Sequence, residues 1–180
     1  MDKKITKISC FDFDGTLIDS PLPETGRAEY EKKSGKPWPH KGTGWWGKAE
    51  SLDISVFEMP VIQSVKDTYE EERVKPEVLM VMMTGRMKTK HTDLSNEVKA
   101  ILDSKGFTFD LYKYNHGGNT LTNKIMSLDK LLREYADVTD VLLNDDRLEH
   151  IPAFEEWGES QLKSGRIKVF KINVVPAGRH

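Results

Sequence analysis

The chain has 180 residues and a formal net charge of −2, from 27 Lys and Arg against 29 Asp and Glu. This length suits one domain with a modest insertion, and the balanced charge does not by itself indicate a nucleic-acid binder. The single cysteine, Cys10, excludes an internal disulfide and a cysteine-rich zinc site. There is no apolar run of membrane-spanning length and no secretory signal pattern, so we expect a cytoplasmic protein without a membrane partner.

Taken in chain order, apolar runs typical of strands alternate with segments of helical periodicity. Strands are predicted over 5–13, 78–83, 107–112, 138–143 and 167–175, and helices over 62–73, 94–102, 122–132 and 148–162. Thr122 is the expected cap of the third helix. Continuous apolar runs favour strands buried on both faces. The alternation predicts an α/β fold: a three-layer, doubly wound, mainly parallel five-stranded sheet of Rossmann-like type.

One connection is too long for a simple crossover. About 65 residues separate the first two predicted strands, so we expect a single domain over 1–180 with a cap-like, irregular insertion at about 20–76. Between Glu31 and Lys48 the insertion holds five lysines against one glutamate, together with Trp38, Trp45 and Trp46. Cations interleaved with aromatic rings suit a single-stranded nucleic acid. The tryptophans could instead anchor the insertion to the core.

Polar residues follow three of the predicted strands at the carboxyl edge of the sheet, where open α/β sheets bind ligands. The sequences there are Asp12-Phe13-Asp14-Gly15-Thr16, Thr84-Gly85-Arg86 and Asn144-Asp145-Asp146-Arg147. Like charges so close together persist only with a compensating cation or a shared proton. Hard oxygen ligands favour Mg²⁺. Asp-Gly is also a common turn pair, but the convergence of three strand ends favours a functional site.

These strand ends resemble the motifs of the haloacid dehalogenase (HAD) superfamily of phosphohydrolases. FDFDGTLIDS is similar to the first motif, MMTGR to the second and VLLNDDR to the acidic fourth, and Lys124 in TLTNKIMSLDKLL is similar to the lysine of the third. The four occur in the family's order and span about three quarters of the chain.

The resemblance implies a phosphatase mechanism. Asp12 would be the nucleophile that forms an aspartyl-phosphate, and Asp14 would be the general acid and then the base. Thr84 and the adjacent backbone amides would hold phosphate oxygens, and Lys124 would stabilise their charge. Lys124 could instead be an exposed first-turn lysine.

The resemblance also implies a Mg²⁺ ion at this site. The Asp12 side chain, the Asp14 backbone carbonyl and a carboxylate of the fourth motif would hold it. Either Asp145 or Asp146 could be the direct ligand, and the DDR pattern favours Asp146.

The combination of the TGR and DDR sequences is more specific than the general motifs of the HAD superfamily. It resembles the phosphatase part of polynucleotide kinase-phosphatases, and NDDRLEHIPAF resembles a signature of the "Swiss Army knife RNA repair-like" HAD branch. Gly85, Arg86, Arg147, Trp45 and Trp46 would then bind a phosphorylated substrate, such as an RNA or DNA end. Two alternatives stay open: a small-molecule phosphatase for nucleotides or sugar phosphates, and a non-catalytic nucleotide- or RNA-binding module.

Overall fold

The computed structural model describes residues 3–176 and has a five-stranded sheet in which every strand pairs in parallel. The strands are β1 (Lys7–Phe11), β2 (Val78–Met87), β3 (Leu111–Asn115), β4 (Asp140–Asp145) and β5 (Val169–Val174). Their spatial order is β3-β2-β1-β4-β5. The predicted α/β class and Rossmann-like sheet are therefore confirmed.

Five α-helices connect the strands. They are α1 (Pro23–Ser34), α2 (Gln63–Arg73), α3 (Ser95–Ser104), α4 (Thr120–Glu134) and α5 (Ile151–Lys163), with short 3₁₀ turns at Ala49–Leu52 and Leu148–His150. Asn119 caps α4 by accepting from the backbone N–H of Thr122, so the predicted cap at Thr122 is wrong by three residues. Within residues 3–176, no helix is long and apolar enough to cross a membrane.

Two hydrophobic clusters cover the two faces of the sheet. Alternation along β1 sends Ile8 and Cys10 into the cluster beneath α4 and α5, and Phe11 into the cluster beneath α1, α2 and α3. Phe107 and Phe109 lie in the second of these clusters, but they precede β3 rather than forming it. Their burial explains why the strand predicted at 107–112 begins four residues too early.

The insertion after β1 is more regular than the sequence indicated. It contains α1, a 3₁₀ turn and α2, and α1 had no predicted counterpart because its apolar face is narrow. Tyr30, Trp45 and Phe57 from this segment are buried in the same cluster as Phe11. The segment therefore shares the hydrophobic core of the sheet.

The order of the strands brings the three polar strand ends together. β1 lies between β2 and β4, and Phe11 is in register with Met82 on one side and Asn144 on the other. Residues that follow these three positions emerge side by side at the carboxyl edge of the sheet. The register between β2 and β3 shifts between Met83 and Met87, where the TGR sequence lies.

Candidate active site

A buried lysine bridges two carboxylates at the centre of the sheet edge. The Lys124 ammonium lies 3.2 Å from an Asp12 oxygen and donates a 2.7 Å hydrogen bond to Asp145 Oδ2. The other Asp145 oxygen accepts from the backbone N–H of Arg147 at 2.9 Å. Lys124 is only 3% exposed, so it is not the exposed first-turn residue that the sequence left as an alternative. It lies one turn inside α4, whose N-terminus faces the strand ends.

Asp146 completes a group of three buried carboxylates. One oxygen each from Asp12, Asp145 and Asp146 lie within 4.8 Å of one another. The Thr16 hydroxyl donates to Asp146 Oδ1 at 3.3 Å. Gly15 has φ +72°, and a Cβ at this position would lie 2.0 Å from Asp146 Oδ2. The glycine of the first motif is therefore required both for the turn and for the approach of Asp146.

Burial and neighbouring charges both shift the pKa values of Asp12 and Lys124. Burial raises the pKa of Asp12 well above its usual range; Lys124 opposes the rise, while Asp145, Asp146 and Asp14 add to it. Burial lowers the pKa of Lys124, but the charges of Asp12 and Asp145 outweigh burial and raise it overall. The site therefore holds more negative charge than one lysine compensates.

Asp14 has different partners from Asp12. Arg86 donates from Nε and from one terminal nitrogen to the two Asp14 oxygens, each at 2.8 Å, and the Ser20 hydroxyl donates to Asp14 at 2.5 Å. The other terminal nitrogen of Arg86 donates to the Trp46 carbonyl at 2.7 Å and to Ser51 Oγ at 2.6 Å.

Arg86 makes all of these contacts within the protein, and its predicted binding of substrate stays a prediction. Its guanidinium is 1% exposed, and each of its three nitrogens donates to a protein oxygen. Arg86 therefore positions Asp14 and ties it to the insertion. No sequence pattern predicts these contacts, because Ser51 and Trp46 reach Arg86 only through the fold.

Two threonines lie at the TGR sequence: Thr84 belongs to it, and Thr120 lies close to Gly85. Thr84 is buried, and its hydroxyl accepts from the backbone N–H of Arg86 at 3.1 Å. Thr120, which the sequence analysis missed, lines the cavity above the carboxylates together with Gly85. A Cβ on Gly85 would lie 2.9 Å from the Thr120 hydroxyl. Thr120 precedes Lys124 by one helical turn, and that spacing in α4 was the available signal.

The tryptophans of the insertion divide between two roles. Trp45 is 2% exposed, stacks on Trp38 at 5.2 Å between ring centroids and donates from its indole to the Pro21 carbonyl at 3.1 Å. The prediction that Trp45 contacts substrate is therefore wrong: its ring is part of the core. Trp46 is 40% exposed and lines the cavity.

The cavity has a volume of about 310 Å³ and opens at the carboxyl edge of the sheet. Its lining residues come from the three strand ends, the start of α1, the insertion and α4: Asp12, Asp14, Leu22, Pro23, Glu24, Trp46, Gly85, Arg86, Thr120, Lys124, Asp146, Arg147 and Glu149. Arg147 is half-exposed there and pairs with Glu149 at 2.9 Å. Asp145 does not face this cavity.

The sequence matches the model of a family described as HAD domain family 1 in Swiss Army Knife RNA repair proteins, over residues 34–180. The chain belongs to this HAD family. The matched region includes Thr84, Lys124 and the two adjacent aspartates, and it begins after Asp12 and Asp14. HAD domains are usually phosphatases that use Mg²⁺, so the chain is a phosphatase-like HAD module.

A solved structure shows the same fold. The HAD domain of the effector protein Lem4 from Legionella pneumophila, described as an inactive mutant, aligns with a TM-score of 0.52 at 16% sequence identity. The alignment covers 98% of this chain and 88% of that chain. At this identity the likeness concerns the fold of the HAD domain.

Proposed function

We propose that this HAD domain is a Mg²⁺-dependent phosphatase that forms an aspartyl-phosphate on Asp12 and acts on phosphorylated nucleic-acid ends or nucleotides. The observation that carries the proposal is the placement of Asp12 beside Lys124, in one group with the buried carboxylates of Asp145 and Asp146, where Asp12, Lys124 and Asp146 line the cavity. A carboxylate can act as a nucleophile in its ionised form, and the charge of Lys124 favours that form of Asp12.

The chemistry has two half-reactions. Asp12 attacks phosphorus, the bond from phosphorus to the leaving oxygen breaks, and Asp14 gives that oxygen a proton. Asp14 then takes a proton from water as the water oxygen attacks the phosphorus, and the bond to Asp12 breaks to release phosphate. Arg86 and Ser20 hold Asp14 in place through their hydrogen bonds to its carboxylate.

The oxygens of the transferring phosphoryl group need compensating donors. Lys124 supplies a buried positive charge, and Thr120 and Arg147 lie at the cavity wall within the same site. Thr84 would act from behind this wall, through the backbone amides of the TGR sequence.

The residues present fit a Mg²⁺ ion, because three buried carboxylates offer hard oxygen ligands around one point. Asp12 and Asp146 would hold the ion with the Asp14 carbonyl, while Asp145 is occupied by Lys124 and the Arg147 amide. Bound there, Mg²⁺ neutralises charge on the phosphoryl group.

Replacing Asp146 with asparagine is expected to remove the stabilisation of the fold by Mg²⁺. At a Mg²⁺ concentration 100 times its Kd, wild-type Tm should rise by about 5–10 °C. Asp145→Asn, the matched control at the adjacent position, should lower the basal Tm and keep the Mg²⁺-dependent rise. The measurement is thermal unfolding with and without Mg²⁺. If Asp145→Asn loses the rise and Asp146→Asn keeps it, the assignment of the two aspartates is reversed.

Two features favour a nucleic-acid or nucleotide substrate. The insertion has a local charge of +4 between Glu31 and Lys48, and its lysines at 32, 33, 36 and 41 are exposed. Trp46 presents an aromatic surface at the cavity. Backbone phosphates and bases pair with these two kinds of surface.

The proposed function is tested by phosphate release from three Mg²⁺-supplemented substrates: a 3′-phosphorylated RNA, a 5′-phosphorylated RNA and a mononucleotide. We expect release from an RNA end that is abolished by Asp12→Asn. A clear preference for the mononucleotide would make the domain a nucleotidase. Absence of release from all three substrates, with Mg²⁺ bound and the protein folded, would contradict the phosphatase proposal and favour a binding module.

A further inference from the structure

We propose that Trp46 is the stacking surface for the base of the nucleoside that carries the phosphate to be removed. This inference rests on the proposed function and narrows its substrate class to base-bearing phosphate esters. It is carried by the position and support of one indole ring in the cavity.

Trp46 is partly exposed, unlike Trp45, and its position is fixed by contacts with Arg86. Its neighbour Trp45 is 2% exposed, whereas Trp46 is 40% exposed and lines the cavity. The backbone carbonyl of Trp46 accepts from Arg86 at 2.7 Å, and the guanidinium carbon of Arg86 lies 4.9 Å from the centroid of the indole. The buried Arg86 thus supports the ring by a cation–π contact. A ring held in this way loses little conformational entropy when a ligand stacks on it.

The ring lies on the side of the site where the leaving group must be. Asp14 gives its proton to the leaving oxygen, which belongs to the nucleoside. One guanidinium separates Asp14 from the Trp46 ring, because Arg86 contacts both. Asp12, which would take up the phosphoryl group, pairs with Lys124 at 3.2 Å and not with Arg86. A nucleoside joined through the oxygen that Asp14 protonates would therefore lie near Arg86 and the Trp46 ring that Arg86 contacts.

The remaining cavity wall suits a nucleoside better than a simple sugar. Leu22 and Pro23, at the start of α1, add apolar surface to the lining, and Glu24 adjoins them. Carboxylates such as Glu24 accept hydrogen bonds from ribose hydroxyls. The volume of about 310 Å³ is at the lower end of the range for small-molecule sites, so one terminal nucleotide would enter.

The test measures binding separately from turnover. Asp12→Asn protein with Mg²⁺ is titrated with short 3′- and 5′-phosphorylated RNAs, each paired with a probe whose phosphorylated terminal nucleotide lacks its base. We expect the base-bearing probe of at least one pair to bind about 5- to 150-fold more tightly than its abasic partner. Adding Trp46→Ala should abolish this difference, and Trp46→Phe should keep most of it. Ile54→Ala, at an exposed apolar residue of the insertion, is the matched control and should keep it in full.

The binding results distinguish a base-stacking role of Trp46 from a role in supporting Arg86. If both probes of each pair bind equally with Trp46 present, or if Trp46→Ala weakens both equally, the ring only supports Arg86 and the inference is overturned. The proposed function has its own readout in phosphate release. If no phosphate is released but the base-bearing probe still binds more tightly than the abasic one, the phosphatase proposal fails and the stacking site at Trp46 stands.

Discussion

Replacing Lys124 with methionine is expected to lower both stability and activity by large amounts. The variant keeps most of the length of the side chain and removes a 3% exposed charge that lies 3.2 Å from Asp12 and 2.7 Å from Asp145. Breaking a buried ion pair by removing one partner costs about 3–5 kcal/mol. The rate of phosphate release should fall by about 10²–10³-fold, because a fixed charge aimed at the phosphoryl group is lost.

The loss of stability should depend on pH. Lys124 holds the pKa of Asp12 below the value that burial and the other carboxylates would give it. Without Lys124 the folded-state pKa of Asp12 rises further, so Asp12 is protonated in the folded protein and ionised in the unfolded chain over a wider pH range. The deficit relative to wild type is therefore smallest at low pH and grows as pH increases.

Denaturant unfolding without metal, near pH 5 and near pH 8, measures this dependence. Lys130→Met is the matched control, since Lys130 lies on the same helix and pairs with Glu134 at the surface, where such pairs contribute about 0.3–0.5 kcal/mol. An equal deficit at both pH values would contradict the coupling of Lys124 to the protonation of Asp12.

The central part of the sheet was predictable because β1, β2 and β4 are buried along most of their length, and β2 carries a continuous apolar run. The carboxyl ends of these strands had to meet at one edge once the sheet was parallel. That argument alone brought Asp12, Thr84 and Asp145 together. The edge strand β3 was placed too early, since Phe107 and Phe109 are core residues of the preceding loop. Periodicity records burial and does not distinguish a strand from a buried loop.

The roles within the site were less predictable, because they depend on which partner each side chain finds. Arg86 lies near the carboxyl end of β2, where a phosphate-binding arginine is expected, and only the fold brings it to Ser51 and the Trp46 carbonyl. Trp45 and Trp46 are adjacent in sequence and separate into core and cavity. An irregular segment has no helix or strand periodicity, so the sequence does not predict which of two adjacent side chains is buried.

Replacing Arg86 with alanine is expected to be the most damaging change at the insertion side of the site. It would leave Asp14 without two 2.8 Å hydrogen bonds, and it would leave the Trp46 carbonyl and Ser51 without a shared donor. The loss of a buried partner should lower the free energy of unfolding by about 3–5 kcal/mol, or Tm by about 6–20 °C. Arg86→Lys should recover little of this loss, since an ammonium cannot donate to both Asp14 oxygens and to the carbonyl together.

The kinetic consequence separates positioning of Asp14 from a general loss of stability. General acid catalysis contributes about 10²–10⁴-fold, and it matters least when the leaving group departs without a proton. At a temperature where the variant is folded, Arg86→Lys should therefore lose far more activity on a phosphorylated RNA end than on p-nitrophenyl phosphate. Arg73→Ala, which removes a half-exposed arginine paired with Asp110, should leave both rates unchanged. Equal losses in kcat on the two substrates would mean that Arg86 maintains the cavity as a whole rather than the proposed general acid Asp14.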